Sequence, residues 1–132
     1  MSRENVEIVR AIHEALARGE SPATLRVLHP DIEYVNPPGA VEPGTRRGIA
    51  AYEDAVSAIN HAFEDIRIEV REIKDFGDQV VVLATYTARG RTSGVQRENE
   101  DAYVWTVRDG RAVSFLWFSD PADALNAVRL AR

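Results

Sequence analysis

The stretch ENEDAYVWTVRDGRAVSFLWFSDPADAL, Glu98 to Leu125, decides how this chain folds. It holds two strand-like runs, YVWTV and AVSFLWF, on either side of Asp109-Gly110. Asp-Gly suits the two central positions of a type I′ turn, which need positive φ, so the stretch predicts a β-hairpin. With Asp109 and Gly110 as the loop, Arg108 faces Arg111, Val107 faces Ala112, Thr106 faces Val113, Val104 faces Phe115, Ala102 faces Trp117 and Glu100 faces Ser119. Side chains alternate between the faces of a strand. This register therefore places Glu100, Ala102, Val104, Thr106, Val113, Phe115 and Trp117 on one face, and Tyr103, Trp105, Val107, Leu116 and Phe118 on the other. Both faces are apolar, so something must pack on each.

Downstream, Asp120-Pro121-Ala122-Asp123 supplies a cap, a proline and an acidic third position, and opens a final helix carrying Leu125, Val128 and Leu130. Upstream, Gln79 to Arg89 is a strand with the continuous run VVVLATYTA, buried on both sides. Gly77-Asp78 joins it to Ile66–Phe76, where Ile66, Ile68 and Val70 alternate with Arg67, Glu69 and Arg71, a strand with one solvated face. Ile49 to Phe63 has Ile49, Tyr52, Val56, Ile59, Asn60 and Phe63 at helical spacing. Before it, residues 37–48, PPGAVEPGTRRG, hold three prolines and three glycines and read as a loop. Asp31 to Asn36 alternates as a first strand, with Ile32, Tyr34 and Asn36 on one side. Ser21-Pro22 opens a short helix with Leu25 and Leu28, broken by His29-Pro30-Asp31. Ser2 to Arg18 is a helix whose stripe is Val6, Val9, Ile12, His13 and Leu16, stopped by Gly19. Helix, helix, strand, helix, a four-strand meander and a closing helix make a segregated α+β fold in one domain, residues 1–132. The expected architecture is a curved antiparallel sheet, cone-shaped, with three helices on its concave side and a pocket between.

Composition bounds the partners. At 132 residues the chain buries roughly two thirds of its unfolded surface. A net charge of −5 argues against nucleic acid and anionic membrane. Without cysteine there is no disulfide framework and no thiolate chemistry, as in a reducing compartment. The charged MSRENVEIVR and the lack of any long apolar run leave cytoplasmic as the default placement, away from membranes.

Several features together resemble the SnoaL-like branch of the NTF2-like superfamily. They are Pro30-Asp31 ahead of Tyr34-Val35-Asn36-Pro37, Gly44 through Gly48 ahead of a helix, Val107 to Gly110, and Phe118-x-Asp120 followed by Ala124-Leu125. The resemblance spans nearly the whole chain. It implies the cone-shaped fold, but the fold hosts ketosteroid-isomerase-like isomerases, polyketide-cyclase-like enzymes, limonene-epoxide-hydrolase-like enzymes and non-catalytic binders alike. It also implies pairing of two copies through the convex sheet face. On the register above that face carries Tyr103, Trp105, Leu116 and Phe118, so a homodimer is expected there, against the reading that the C-terminal helix or the N-terminus covers the face.

The residues expected to line the cone set the chemistry. Tyr34 and Asn36, two apart on one strand, share a face. They match the Tyr-x-Asn pair of the epoxide-hydrolase-like members. The Arg, Asp and Asp that those enzymes also use are replaced here by Ala84, Tyr86 and Trp117, so that route is disfavoured. Isomerase- and cyclase-like members need one carboxylate base and a hydrogen-bond donor to a developing enolate oxygen. The candidate donors and ligand contacts are Tyr34, Asn36, Tyr52, Tyr86, Phe115 and Trp117. Glu100, inward on this register, is the first candidate base, against the reading of a solvated rim carboxylate. His13 on the first helix is the second, against the reading of a hydrogen-bonded core histidine. Asp120 reads as a helix cap and His61 as exposed. Arg89, Arg91 and Arg97 flank the loop beside the mouth, either to meet an anionic ligand or to solubilise a turn. The three histidines lack metal-ligand spacing, so neither metal nor other cofactor is expected. The sequence thus points to a binder of a small apolar molecule, acting as a proton-transfer isomerase or cyclase on a carbonyl compound. The alternative is a non-catalytic ligand-binding or assembly module.

Overall fold

The computed structural model describes residues 2–22, 26–36 and 44–131. The elements are α1 (Ser2–Ala17), β1 (Leu28–Asn36), β2 (Gly44–Arg47), α2 (Ile49–Ala62), β3 (Phe63–Phe76), β4 (Gln79–Gly90), β5 (Gln96–Arg108), β6 (Arg111–Phe118) and α3 (Pro121–Ala131). The strands form one six-stranded sheet in the order β2-β1-β6-β5-β4-β3. It is curved and does not close. The α+β class and the meander are as expected. The sheet is mixed rather than antiparallel, because β1 runs parallel to β6.

Local chemistry explains most boundaries. Both loop residues of the β5–β6 hairpin take positive φ, Asp109 at 50° and Gly110 at 78°, as a type I′ turn requires. Gly77 at φ 84° turns β3 into β4. Asp120 Oδ1 accepts the amide N–H of Ala122 at 2.9 Å, the cap expected of it. β1 starts three residues earlier than expected, with a break in its pairing between Leu28 and Glu33 where Pro30 offers no N–H. β2 was hidden inside the Pro/Gly-rich segment, of which residues 37–43 lie outside the described residues. It is a four-residue edge strand paired with β1. The short helix expected from Pro22 falls mainly on residues 23–25, also outside the described residues, and Leu28 is strand. No described helix is long and apolar enough to cross a membrane.

One irregularity changes which residues face the core. Arg108 pairs with Arg111 and Val107 with Ala112, but Thr106 then pairs with Ser114, so Val113 is a β-bulge. Beyond it the register is shifted by one: Trp105 opposes Phe115, Tyr103 opposes Trp117 and Ala102 opposes Phe118. A shift of one residue exchanges the faces of a strand. Phe115 and Trp117 face the concave side as expected, whereas the faces of β5 are the reverse of the expected ones. Val9, Ile12, Tyr34, Tyr52, Val80, Val82, Ala84, Tyr103, Trp105, Val107 and Phe115 form the concave core, packed on by α1 and α2. Tyr103 and Trp105 are therefore not on the convex face, and Trp105 is 0% exposed.

The convex side has its own small core of Val81, Ala102, Val104, Ala124 and Val128, with Leu83, Leu116, Phe118 and Leu125 packed against it. It is covered by α3, so the described helices divide two on the concave face and one on the convex, where all three were expected on the concave side. Size matches size: α3 offers Ala124 and Val128 to Ala102 and Val104, while the large rings go to the deeper side.

The face exchange has a direct test. In a Trp117→Phe variant the indole N–H of Trp105 is the one that remains, and it is expected to show nuclear Overhauser contacts to the His13 ring and slow hydrogen exchange. Contacts to the Val128 methyls instead would restore the unbulged register.

Candidate functional site

The concave face is organised by aromatic rings, including all four tyrosines of the chain. Tyr34 packs edge-on to Tyr52 at 5.8 Å between centroids and lies 5.1 Å from Phe115. Phe115 in turn touches Trp105 at 4.6 Å and stacks with Tyr103 at 5.6 Å, and His13 stacks on Tyr103 at 5.7 Å. These offset and edge-to-face contacts contribute roughly 0.5–1.5 kcal/mol each beyond area burial. They fill the depth of the concave face.

His13 belongs to that floor. Its Nε2 accepts the indole N–H of Trp105 at 3.0 Å. The acceptor role places the ring proton on Nδ1 in the neutral tautomer. Burial pushes the imidazole down to about 4. A base this weak, already bonded to the core, is held as a packing element, the core reading of this histidine.

Glu100 is not in the cone. It lies opposite Thr85 on the convex face of β5 and is exposed. There it accepts the Thr85 hydroxyl at 2.8 Å, while Arg71 Nε donates to the same Thr85 oxygen at 2.6 Å. The bulge at Val113 is the reason: it turns Glu100 out and its neighbour Asp101 in.

Asp101 is a carboxylate on the concave face, 6% exposed. Tyr103 donates its hydroxyl to Oδ2 at 3.2 Å, and Asn99 Nδ2 donates to Oδ1 and also to the Ser119 carbonyl at 3.1 Å. Burial raises the Asp101 carboxyl above the usual carboxylate range, and Glu100 adds to this. The bonds from Asn99 and Tyr103 and the charge of Arg97 pull the other way. Burial likewise raises the phenols of Tyr86, Tyr52 and Tyr103, and pushes Tyr34 up to about 12, so all four stay protonated donors at neutral pH. Tyr34 feels Tyr86, Tyr86 feels Asp101, and Tyr103 feels all three, so these oxygens form one electrostatic group.

Asn36 accepts the Trp117 indole N–H at 2.7 Å, which holds the two side chains together. Tyr34, Asn36, Tyr52, Tyr86, Phe115 and Trp117 are thus on the concave side, Glu100 is not, and Asp101, Asn99 and Tyr103 join them. His61 is exposed, held by the Ser57 carbonyl at 2.8 Å. Asp101 was missed, and Trp105 is the signal that could have found it: once the largest apolar side chain of β5 goes to the deeper core, Tyr103 and Asp101 follow at spacing two.

The family model of the SnoaL-like domain matches residues 9–115. The chain belongs to the SnoaL-like family. No curated protein matches this SnoaL-like chain. Solved structures are similar to it over nearly their whole length. An NTF2-like protein of unknown function from Burkholderia pseudomallei is 26% identical, with a TM-score of 0.79 over 95% of this chain and 97% of that one. An NTF2-like protein from Burkholderia xenovorans is 28% identical, with a TM-score of 0.78 over 97% and 98%. TerC, crystallised with polyporic acid, is 25% identical, with a TM-score of 0.78 over 96% and 98%.

The His13 environment gives a pH signature. Its folded value lies below the ordinary 6.5, so the unfolded chain binds the extra proton. The stability contribution is complete above about pH 6.5 and is lost as the pH falls towards 4, with a total of about 3 kcal/mol. Asp101, raised, opposes this in sign, so the difference between wild type and His13→Gln isolates the histidine. Denaturant unfolding at pH 7, 5.5 and 4 is expected to show wild type losing stability faster than the variant. Parallel losses would contradict the assignment.

Proposed function

We propose that this SnoaL-like protein catalyses proton transfer on a small carbonyl compound, as an isomerase or cyclase, with Asp101 as the base. The observation that carries this is a buried carboxylate of raised pKa, held by Tyr103 and Asn99 beside the protonated phenols of Tyr34 and Tyr86. A general base works best with its pKa drawn towards the operating pH. Asp101 takes a proton from the carbon next to the carbonyl. The C–H electron pair becomes the enolate, and the phenols of Tyr34 and Tyr86 donate to its oxygen. Returning the proton from Asp101 to a different carbon completes an isomerisation. Attack of the enolate carbon on a second carbonyl of the same molecule, whose oxygen takes the new negative charge and then the proton held by Asp101, completes a cyclisation. Tyr103, bonded to the carboxylate, orients it. The crystallisation of TerC with polyporic acid supports an organic small molecule as the ligand of this fold.

The second reading, a non-catalytic binding module, is favoured by the rings of Tyr34, Phe115, Tyr103 and His13, which occupy the depth of the cone. Turnover of a β,γ-unsaturated ketone separates the two. Asp101→Asn is expected to lower it by about 100-fold, while Glu100→Gln leaves it within about twofold. Dependence on Glu100 instead, or no turnover by the wild type across a panel of such ketones, would favour the module.

We also propose a homodimer, using Leu83, Leu116 and Phe118, which stay half-buried beside α3. Sedimentation velocity is expected to give a dimer that Phe118→Glu disrupts, and a monomer at all concentrations would count against it.

A further inference from the structure

Asn99 stands between two of the groups that proton transfer would use. It is the cross-strand partner of Tyr86 and precedes Asp101 by two residues on one row of β5. Its amide nitrogen carries two N–H donors. One goes to Asp101 Oδ1 and the other to the Ser119 carbonyl at 3.1 Å, with a third, weaker contact to the Glu100 carbonyl at 3.4 Å. The other carboxylate oxygen accepts Tyr103 at 3.2 Å. That is long for a hydroxyl on a carboxylate, where about 2.5–2.7 Å is usual. Of the two bonds the one from Asn99 is the shorter.

The Ser119 carbonyl is a fixed anchor. The β5–β6 ladder ends with Ala102 opposite Phe118, so Ser119 lies just beyond it. The next residue, Asp120, caps α3 through the Ala122 amide at 2.9 Å. One exposed amide thus ties a buried carboxylate of the concave face to the point where β6 hands over to α3.

The charges around Asp101 act differently. Tyr103, Arg97 and Glu100 face or flank it on β5, and Tyr86 does so from β4. At the junction Asp120 is turned to its own helix, and α1 brings His13 against Tyr103. Arg97 and Glu100 are exposed, so salt screens their effect. Asn99 is neutral and acts by contact. A lysine in its place would also donate, but its charge would force the carboxyl far down. The amide holds the oxygen with a smaller effect on its affinity for a proton.

We propose that Asn99 is a positioning residue: it holds the Asp101 carboxylate to the β6–α3 junction and so sets the pH at which Asp101 takes up its proton. The use of that proton in catalysis rests on the proton-transfer reading; the hold itself rests on the hydrogen bonds of Asn99. Carbon-13 NMR of the Asp101 carboxyl through a pH titration tests it without any substrate. A bond to the charged form favours that form, so Asn99→Ala is expected to raise the Asp101 midpoint by about one pH unit, a tenfold tighter hold on the proton. Asn99→Asp sets a like charge in the same place and is expected to push the upper midpoint of the carboxylate pair higher still. The rise in Asn99→Ala is expected to persist in about 1 M salt, whereas any rise in Arg97→Gln is expected to vanish there. The acid limb of kcat/KM for a ketone is expected to move with the midpoint. An Asn99→Ala midpoint within about 0.3 unit of wild type, a twofold change, overturns the proposal, as does a rise that salt abolishes. A midpoint that moves while turnover is absent, or while its acid limb stays in place, upholds the hold of Asn99 and counts against the proton-transfer reading only.

Discussion

The extra residue at Val113 is the constraint on which the rest depends. A bulge leaves one residue out of the ladder, at a cost on the order of one hydrogen bond, about 1 kcal/mol. What it obtains is the placement of Trp105. Burying an indole removes roughly 200 Å² from water, about 5 kcal/mol, and the concave side is where a ring of that size fits. There it meets Phe115 at 4.6 Å and donates its N–H to His13. The other face of β5 meets α3, whose buried contacts, Ala124 and Val128, are small. Burial of the indole prevails, and the strand pair accepts a kink so that its bulkiest side chain reaches the deeper core.

The same choice sets the chemistry of the face. Because side chains alternate, placing Trp105 inward also places Tyr103, Asp101, Asn99 and Arg97 inward. A single row thereby runs from the packed floor to the charged rim, with apolar rings below and a carboxylate clasped by hydrogen bonds above them. Burial keeps the phenols protonated and raises the Asp101 carboxyl. His13, lower still, is neutral for the same reason and serves packing.

The hydrogen bond from Trp105 to His13 also ties the first helix to the fifth strand across 92 residues of sequence. Asn5 of α1 adds a second tie by donating to the Gly77 carbonyl at 3.0 Å. These polar contacts orient a helix whose stripe of Val9 and Ile12 would otherwise bind by non-directional burial alone.

Local signals in the sequence sufficed for the elements. Asp109-Gly110, the 3.6-residue stripes of α1 and α2, the cap at Asp120 and the two-residue alternation of β3 each act over a few residues, and they determined the hairpin, the helices and the α+β class. Tyr34 and Asn36, two apart on one short strand, were equally legible as neighbours on one face. What local signals could not determine was the face of β5, because both of its faces are apolar and a bulge costs little. That decision moved Glu100 out and Asp101 in, sent Tyr103 and Trp105 to the core, and gave the convex side to α3. Nor could they reveal that β1 runs parallel to β6, or that Gly44–Arg47 adds an edge strand, since pairing partners lie far apart in the chain. The amino-acid order determined what each segment is. Which side it shows was left to tertiary packing, where the size of one indole outweighs one hydrogen bond of the ladder.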